Sequence, residues 1–382
     1  MSSFNSGPAT PGVLHHSFLE CRGGAARVAD LLCAGLERLG LQAARSFEVV
    51  QTHAGQRWMD DHQGDWFAAL AAAAARGWLV HLHASGDWLG LLERLLPLAP
   101  RLVITIHDMR LATGGCVFPT DCPHFSRACA DPCPRGLPDT AARRQRVAAL
   151  LHHLHPLVLC PSQWGCDLVR QAVPGLAPRL VPNGIPWPAT LPGTLPGKRA
   201  AKLAAGVSPA ARLALFVAHG GEAAGVKAGD TWQALWERIK RVEPQAVGYL
   251  IGGTTHSRQG DLVRWPYLEP ETLGRMFAAA DCLVYPSWAD NHPLTVLEAM
   301  AHGCPVTAWA AGGIGEMVTH DVTGRLVSVG DLEGLATAAA ELLRHPARGR
   351  RLAVAAHAAG ATRFTEAVMS RTVLRLLTQH FT

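Results

Sequence analysis

Short apolar runs alternate with helical stretches rich in Ala, Leu and Arg along most of the 382-residue chain. This alternation predicts parallel strands joined by helices that cover the sheet. The pattern occurs twice, and residues 182–197, rich in Pro, Gly and Thr, separate the two series and indicate a linker. We therefore expect an α/β protein with a first domain over 1–185, a linker over 186–210 and a second domain over 211–365. A final helix over 366–382 could cross back to the first domain.

The apolar runs and the helical periodicity predict the elements of each series. In the first series, strands are predicted at 13–18, 79–83, 102–106 and 157–160, and helices at 25–39, 66–76, 88–95 and 140–152. In the second series, strands are predicted at 211–218, 246–251, 282–286 and 305–309, and helices at 231–241, 271–280 and 294–302. A helical stretch over 332–377 follows.

The composition excludes several classes of protein. With 48% apolar residues the chain can build a core, and a net charge of +5 is too small and too evenly spread to indicate a nucleic-acid partner. No stretch is apolar over the length that spans a bilayer, and the first 20 residues lack the basic-then-apolar pattern of a signal peptide. We expect a cytoplasmic protein, with a peripheral contact between Arg-bearing helices and the inner membrane left open.

Two glycine-bearing loops follow predicted strands, at the edge of the sheet where ligands bind. Gly23 and Gly24 precede a helix, so their amides are either a phosphate cradle or part of a tight turn. Lys227 lies in the loop 220–229 and is one of only four lysines among 35 basic residues. A compact ammonium in such a loop suits a point contact with a diphosphate; the alternative is a solvated loop lysine.

His107 follows the third predicted strand, with Asp108 next to it. This polar pair could bind a sugar hydroxyl, with the carboxylate holding the imidazole, or it could be an ordinary loop histidine. The remaining histidines that stand out near strand or helix ends are expected to be ordinary ones: His81, His83, His152, His153 and His155.

The segment from 285 to 303 is the most informative part of the chain. A polar loop that contains Asp290 leads from a predicted strand into a helix whose inward stripe is predicted to be Leu294, Leu297 and Ala301. Glu298 lies four residues after Leu294, on the same stripe, and a buried carboxylate is costly unless it is hydrogen-bonded. The vicinal hydroxyls of a ribose would satisfy it, and so would a nearby arginine.

These residues resemble a known family. Asp290-x7-Glu298, followed by Ala-Met-Ala-x-Gly, is similar to the E-x7-E signature of family 4 retaining glycosyltransferases, which have the GT-B fold of two Rossmann-like domains facing across a cleft. Thr105-Ile-His-Asp-Met is similar to the colanic-acid or exopolysaccharide subset. Thr113-Gly-Gly-Cys116 is similar to the same subset. Further segments similar to the family are Gly23-Gly24-Ala-Ala-Arg27, Val181-Pro-Asn-Gly-Ile185 and Gly312-Gly-Ile-x-Glu316.

The resemblance implies roles for particular residues. Lys227 would bind the donor diphosphate, Glu298 the donor ribose, and Asp290 with His107 the transferred sugar. The residues that would complete the donor site are Gly23, Gly24, Asn291, His292, Leu294 and Thr295. The sequence departs from the family pattern at Asp290, where a Glu is usual, and at Val226, where this subset has an Arg beside the Lys.

The resemblance also implies an activity. We expect a retaining glycosyltransferase that moves a sugar from a UDP- or GDP-type donor to a glycan or lipid-linked acceptor in bacterial surface polysaccharide synthesis. It would use no metal or cofactor for catalysis. The alternatives are a catalytically lapsed GT-B protein that acts as a binding or assembly partner, and a sugar-nucleotide epimerase or hydrolase.

Four of the ten cysteines fall in one Pro- and Gly-bearing stretch, as Cys116-x5-Cys122-x6-Cys129-x3-Cys133. Four thiols could hold a structural zinc ion and so order a segment that has no core of its own. The spacing differs from paired C-x2-C knuckles. Free thiols and a non-native disulfide are therefore the alternatives to zinc.

Overall fold

The computed structural model describes residues 12–54, 57–191 and 195–381. Outside this part lie residues 1–11, 55, 56, 192–194 and 382. Residues 1–11 belong to the segment predicted to lack a signal peptide, and residues 192–194 belong to the predicted linker. Among the described residues, no helix combines the length and the apolar character needed to cross a bilayer.

The chain divides into two compact units. The first consists of residues 1–161, 165–181 and 369–382, and the second of residues 162–164 and 182–368. Each unit has its own seven-stranded sheet. The expectation of two Rossmann-like α/β domains is thereby confirmed.

The elements of the chain up to residue 181 begin with a strand and alternate as predicted over most of their length. In chain order they are β1 Val13–Leu19, α1 Gly24–Arg38, β2 Ala43–Ala54, β3 Arg57–His62, α2 Trp66–Ala75, β4 Leu79–Leu82, α3 Trp88–Leu95, β5 Arg101–Thr105, α4 Thr140–Leu154, β6 Leu157–Cys160, α5 Gln163–Ala172 and β7 Arg179–Leu180. The sheet order is β3-β2-β1-β4-β5-β6-β7. All neighbours are parallel except β2 and β3.

The elements from residue 182 onward build the second sheet and its helices, and the chain ends with a helix, most of which belongs to the first unit. In chain order they are α6 Leu195–Ala204, β8 Arg212–Val217, α7 Trp232–Val242, β9 Ala246–Gly253, β10 Ser257–Gln259, β11 Leu262–Pro266, α8 Pro270–Ala279, β12 Cys282–Tyr285, α9 Leu294–Ala301, β13 Val306–Trp309, α10 Ile314–Met317, β14 Arg325–Val327, α11 Leu332–Arg344, α12 Pro346–Arg363 and α13 Glu366–Phe381. The sheet order is β10-β11-β9-β8-β12-β13-β14, and only β10 and β11 pair antiparallel.

The second unit is held by aromatic and aliphatic side chains that fill one face of its sheet. Trp232 and Trp309 are fully buried in a cluster with Phe216 and Leu335. The rings of Phe216 and Trp232 lie 5.7 Å apart. Each such side chain contributes about 1.5–3 kcal/mol through burial, so this core fixes β8 and β13, whose ends carry the candidate site.

The structure differs from the predicted elements at the sheet edges and in the linker. Strands β2, β3, β7, β10, β11 and β14 were not predicted, and two of their pairings make the sheets mixed rather than purely parallel. Residues 186–210 contain helix α6, whose Lys202 ammonium donates to Asp281 at 2.7 Å and to the Ala211 carbonyl at 2.6 Å. This part of the predicted linker is therefore packed against the second unit by a buried ion pair.

Candidate functional site

Three loops of the second unit meet at the carboxyl ends of neighbouring strands. The sheet order places β8, β12 and β13 side by side, and the loops that follow them contain Lys227, Asp290 and Gly312 respectively. Ligands of open parallel sheets bind at this edge. Lys227 and Asp290, which are 63 residues apart in the sequence, are in direct contact there.

The loop that carries Lys227 is tied to the loop that carries Asp290. Three consecutive 3-10 turns connect residues 221–231. The carbonyl oxygen of Val226 accepts hydrogen bonds from the Trp288 backbone amide at 3.0 Å and from the Ser287 hydroxyl at 3.2 Å. The backbone next to Lys227 is thus held against the Asp290 loop independently of the Lys227 side chain.

Asp290 is the centre of the polar contacts. Its side chain is only 10% exposed, and its Oδ2 accepts hydrogen bonds from Lys227 Nζ and, at 2.6 Å, from the Tyr285 hydroxyl. Burial, and then the negative charge of Asp290, raise the pKa of Tyr285 well above its usual value. Tyr285 therefore stays protonated at neutral pH, and its hydroxyl donates a hydrogen bond to the carboxylate.

One oxygen of the Asp290 carboxylate makes both of these contacts. Lys227 and Tyr285 both bind Oδ2, and Oδ1 takes part in neither bond. An ionised carboxylate can accept about four hydrogen bonds. Asp290 is thus anchored through Oδ2 and presents Oδ1 as an acceptor to a further donor, such as a hydroxyl of a ligand. The Lys227 side chain is 28% exposed, so its ammonium is also within reach of a ligand.

The loop after β13 supports the Asp290 backbone. The Gly313 amide donates to the Asp290 carbonyl at 2.9 Å. Gly312 has φ +57°, and a Cβ at this position would lie 2.2 Å from the Asp290 carbonyl oxygen. Only glycine allows the backbone at 312 to lie so close to the Asp290 carbonyl. The Gly312-Gly313 pair therefore packs directly against the Asp290 loop.

Glu298 lies on a half-exposed side of α9 rather than on its buried side. The helix buries Val296, Leu297, Ala299, Met300 and Ala301. Leu294, Thr295 and Glu298 are half-buried and share the other side. The predicted inward stripe is therefore wrong at Leu294 and Glu298, because the buried face is centred on Leu297 and Met300. A half-exposed carboxylate beside the Asp290 loop can be reached by a ligand.

Asn291 and His292 are buried and connect the loop to the rest of the unit. Asn291 Oδ1 accepts a hydrogen bond from the Ser162 hydroxyl. Burial, and then the positive charge of Arg363, lower the pKa of His292 to about 3, so the ring is neutral. The ring packs edge-on against Phe364, with centroids 5.2 Å apart. Both side chains make internal contacts in this structure.

Gly23 and Gly24 lie in the first unit, at the start of α1. Gly23 has φ +90°, which only glycine adopts freely, and the helix begins at Gly24. The first amides of a helix have no acceptor within the helix. A phosphate cradle and a tight turn, the two alternatives from the sequence, both fit this backbone geometry.

His107 also lies in the first unit, directly after β5, and is half-buried. Its Nε2 is 3.1 Å from Nδ1 of His83. The Asp108 carboxylate, which was expected to hold the imidazole, forms a two-oxygen pair with the Arg110 guanidinium at 2.8–3.1 Å. Burial lowers the pKa of His107 to about 4, so the ring is neutral at pH 7.

The four cysteines of the predicted zinc loop do not converge. Cys116, Cys122, Cys129 and Cys133 are partly exposed free thiols that line a cavity of about 20 Å³. In the part of the chain that the structure describes, no three of these sulfur atoms lie within 4.8 Å of one another. The Arg135 guanidinium lies 3.0 Å from Cys116 Sγ. The arrangement gives no support to a zinc ion in this loop.

The sequence analysis gave no functional role to two side chains that contact the predicted residues, Tyr285 and His83. Tyr285 is the last residue of β12, and a hydroxyl-bearing aromatic directly before the Asp290 loop was the available signal. His83 follows His81 at a spacing of two at the end of β4, which places both rings on one face of the sheet. That repeat was the signal for a histidine cluster.

One family model matches part of the second unit. Residues 216–345, from β8 to the residue after α11, match the model of the family described as Glycosyl transferases group 1. The matched segment contains Lys227, Asp290 and Glu298. The strand-end site described above thus lies wholly inside the region that resembles this family.

The curated relatives match over similarly limited lengths. The D-inositol 3-phosphate glycosyltransferase of Mycobacterium avium is 41% identical over 106 residues, 26% of this chain and 25% of the relative. The enzyme of the same name from Segniliparus rotundus is 29% identical over 160 residues, 38% of this chain and 35% of the relative. The chain spans about a quarter to a third of the length of these two relatives.

Solved structures match over nearly the whole chain. The structure of Anabaena Alr3699/HepE in complex with UDP and glucose has a TM-score of 0.72 and 17% identity, and covers 97% of this chain and 100% of its own. The sucrose-phosphate synthase of Thermosynechococcus elongatus has a TM-score of 0.71 and 20% identity, with 97% and 99% covered. WaaG, a glycosyltransferase involved in lipopolysaccharide biosynthesis, has a TM-score of 0.63 and 12% identity, with 94% and 98% covered. The likeness shows the GT-B fold.

Proposed function

We propose that the protein is a retaining glycosyltransferase that moves a sugar from a nucleoside-diphosphate sugar, of the UDP or GDP type, to a hydroxyl of a glycan or lipid-linked acceptor. The observation that carries the proposal is the Lys227–Asp290 pair at the ends of β8 and β12, inside the segment that matches the group 1 glycosyl transferases. The structurally similar Alr3699/HepE holds UDP and glucose, which are ligands of the required chemistry.

Lys227 and Asp290 would bind different parts of the donor. The ammonium binds the diphosphate and stabilises the negative charge that develops on it as it leaves. Asp290 Oδ1 accepts a hydrogen bond from a hydroxyl of the transferred sugar, while Tyr285 holds the carboxylate through Oδ2. This division assigns one role to each side chain and uses only groups that the structure brings together.

Glu298 would bind the donor ribose. The two hydroxyls of a ribose can donate to the two oxygens of one carboxylate. Its place on the half-exposed side of α9, with Leu294 and Thr295, gives a ligand access to it. Charge-assisted bonds of this kind contribute about 1.5–3 kcal/mol, so the residue would supply a factor of about ten to a hundred in donor affinity.

In the reaction, the bond between the anomeric carbon and the diphosphate oxygen breaks, and a bond to the acceptor oxygen forms on the same face of the sugar. The acceptor hydroxyl loses its proton to the departing phosphate. In the first unit, the Gly23–Gly24 turn would bind phosphate, and the neutral His107 would hydrogen-bond the sugar. The acceptor of such a transfer would be a bacterial surface polysaccharide or its lipid-linked precursor.

The test of the donor site uses Glu298→Gln with two nucleotides. Binding of UDP and of 2′-deoxy-UDP is measured by calorimetry, with GDP alongside. We expect the variant to bind UDP about ten- to a hundredfold more weakly and to lose much less affinity for the deoxy nucleotide. Glu271→Gln, at an exposed position of α8 in the same unit, is the matched control.

Equal losses for both nucleotides would contradict the ribose contact. Transfer itself is tested by release of the nucleoside diphosphate with and without acceptor glycans. Release that depends on an acceptor supports a transferase. Release without an acceptor favours the hydrolase alternative, and donor binding with no turnover over a broad acceptor set favours a lapsed binding protein.

A further inference from the structure

A cluster of histidines lies inside the first unit, on one face of its sheet. His15 of β1 is in register beside His81 of β4, and His83 lies two residues further along the chain, directly after β4. Residues two apart in a strand share a face, so the three rings are neighbours. All three are fully buried. The ring centroids of His81 and His83 are 4.2 Å apart, and those of His15 and His81 are 4.9 Å apart.

The hydrogen bonds within the cluster leave two ring nitrogens without partners. His15 Nδ1 lies 3.1 Å from His83 Nε2, and His81 Nε2 lies 2.8 Å from the Thr105 hydroxyl. His15 Nε2 and His81 Nδ1 are buried and have no hydrogen-bond partner among the described residues. Buried polar atoms are rarely left unpaired in native proteins. Each of these two nitrogens could therefore bind a ligand.

The nitrogens of the three rings converge. One ring nitrogen from each of His15, His81 and His83 lies within 4.8 Å of the other two. Nitrogens that share a tetrahedral metal ion at bonds of about 2.0–2.1 Å lie about 3.3 Å apart. Small rotations about the side-chain torsions close that difference.

We propose that His15, His81 and His83 bind one transition-metal ion, of the kind that prefers imidazole ligands, with Zn²⁺ the first candidate. Three histidines with an open fourth position are a donor set that zinc accepts. The proposal does not rest on the proposed transferase activity, although His107, which contacts His83, is given a sugar contact in that proposal. The bound ion would join β1 to β4.

The surroundings of the cluster fit the partners that metal-bound histidines require. A ligating imidazole normally donates its second ring N–H to a nearby acceptor. The Thr105 hydroxyl is placed to accept from His81 Nε2, which leaves Nδ1 for the metal. His107 Nε2 is placed to accept from His83 Nδ1, which leaves the Nε2 of His83 for the metal once it releases His15. Arg45, whose charge acts on His15, is partly compensated by Asp30.

The test begins with the full-length wild-type protein. It is stripped with a chelator, exposed to Zn²⁺, dialysed, and examined by elemental analysis and X-ray absorption at the zinc edge. We expect about one zinc per chain, with a first shell of nitrogen at about 2.0–2.1 Å, and a rise in melting temperature of about 5–10 °C at a hundredfold excess over the dissociation constant. A parallel loading with Ni²⁺ compares a second imidazole-preferring ion.

Variants locate the ion. His15→Gln and His81→Gln should each lose the bound zinc, while His16→Gln should keep it. His16 lies on the opposite face of β1, bonded to Ser46 at 3.0 Å, and is thus a matched control on the same strand. If the cluster variants fail to fold, the absorption spectrum of the wild type decides the question.

Three results would overturn the proposal. The first is a wild-type protein that holds no zinc or nickel after loading, in which case water satisfies the two nitrogens. The second is a sulfur shell at about 2.3 Å, which would place the ion in the Cys116–Cys133 loop. The third is zinc retained in both folded cluster variants.

Discussion

The contact between Lys227 and Asp290 leads to opposite expectations for two substitutions. Without a donor, the ammonium is held by the carboxylate. A diphosphate that enters the site has to draw the same ammonium towards itself. Lys227→Met removes the cation, whereas Asp290→Asn removes its competitor, so the two variants should affect nucleotide binding in different ways.

The magnitudes follow from the exposure of the two side chains. A hydrogen bond between charged groups contributes about 1.5–3 kcal/mol, so Lys227→Met should weaken UDP binding about ten- to a hundredfold. The Lys227 side chain is 28% exposed and its pairing with Asp290 is partly screened. Asp290→Asn should therefore leave UDP affinity unchanged or raise it by up to about tenfold, and lower turnover because the sugar loses its charged acceptor.

The same pair should affect stability. Lys227→Met leaves the Asp290 carboxylate, only 10% exposed, with the Tyr285 hydroxyl as its remaining partner among the described residues. The loss should be about 1.5–3 kcal/mol in the free energy of unfolding. Adding Asp290→Asn should recover part of it, since the uncompensated charge is then gone.

Calorimetry with UDP and GDP measures nucleotide affinity. Urea unfolding followed by tryptophan fluorescence measures stability, and a nucleotide-release assay measures turnover. Lys240→Met, on α7 of the same unit, is a control for the loss of one positive charge. Unchanged UDP affinity in Lys227→Met, together with lower stability, would refute the assignment. Lys227 would then be a structural partner of Asp290, and the diphosphate would bind elsewhere.

Two further predictions concern the pH dependence of stability. The pKa of Tyr285 is raised in the folded state, so this residue stabilises the fold at pH values below its unfolded pKa of about 10. The contribution is lost as the pH rises further. Tyr285→Phe should therefore have a lower free energy of unfolding at pH 8, and in urea unfolding that free energy should fall less steeply at alkaline pH. A steeper decline in the variant would contradict this. The lowered pKa of His292, about 3, makes the opposite contribution, present above about 6.5 and lost as the pH falls. His292→Phe should flatten the acid decline by up to about 1.4 kcal/mol per pH unit, and an unchanged slope would show that the ring is protonated in the fold.

The alternation of apolar and helical segments was enough to predict two α/β sheets, because most central strands are short apolar runs. Strand β2 was not predicted because polar residues occur on both of its faces. Arg45 donates to the Ser17 hydroxyl at 2.9 Å, and Glu48 lies 3.4 Å from His16. Such partners are distant in sequence, so they make a polar strand stable without leaving a local pattern. Helix α6 escaped for the same reason, since Lys202 finds Asp281 only in the folded unit.

The candidate site was predictable to the extent that it is local. The loop from Asp290 and the helix that carries Glu298 are continuous in sequence, and their order could be read directly. The contact between Lys227 and Asp290 joins loops after two different strands, and it depends on β8 and β12 being neighbours. The side of α9 that faces outward was mispredicted because a three-residue stripe does not fix the rotation of an eight-residue helix.

The two departures from the family pattern have a common electrostatic consequence. With Val226 in place of a basic residue, the loop after β8 carries one ammonium near Asp290, and the pair is neutral when no donor is bound. A diphosphate brings about two negative charges, more than Lys227 alone can balance. Backbone amides of the glycine-bearing loop and the first turn of α9 are further donors at this sheet edge. Because Asp290 is shorter than Glu and is held by Tyr285, it stays close to Tyr285 and offers only Oδ1 outward. If the diphosphate binds here, as we propose, its binding should depend more on backbone dipoles, and less on side-chain cations, than the family pattern implies.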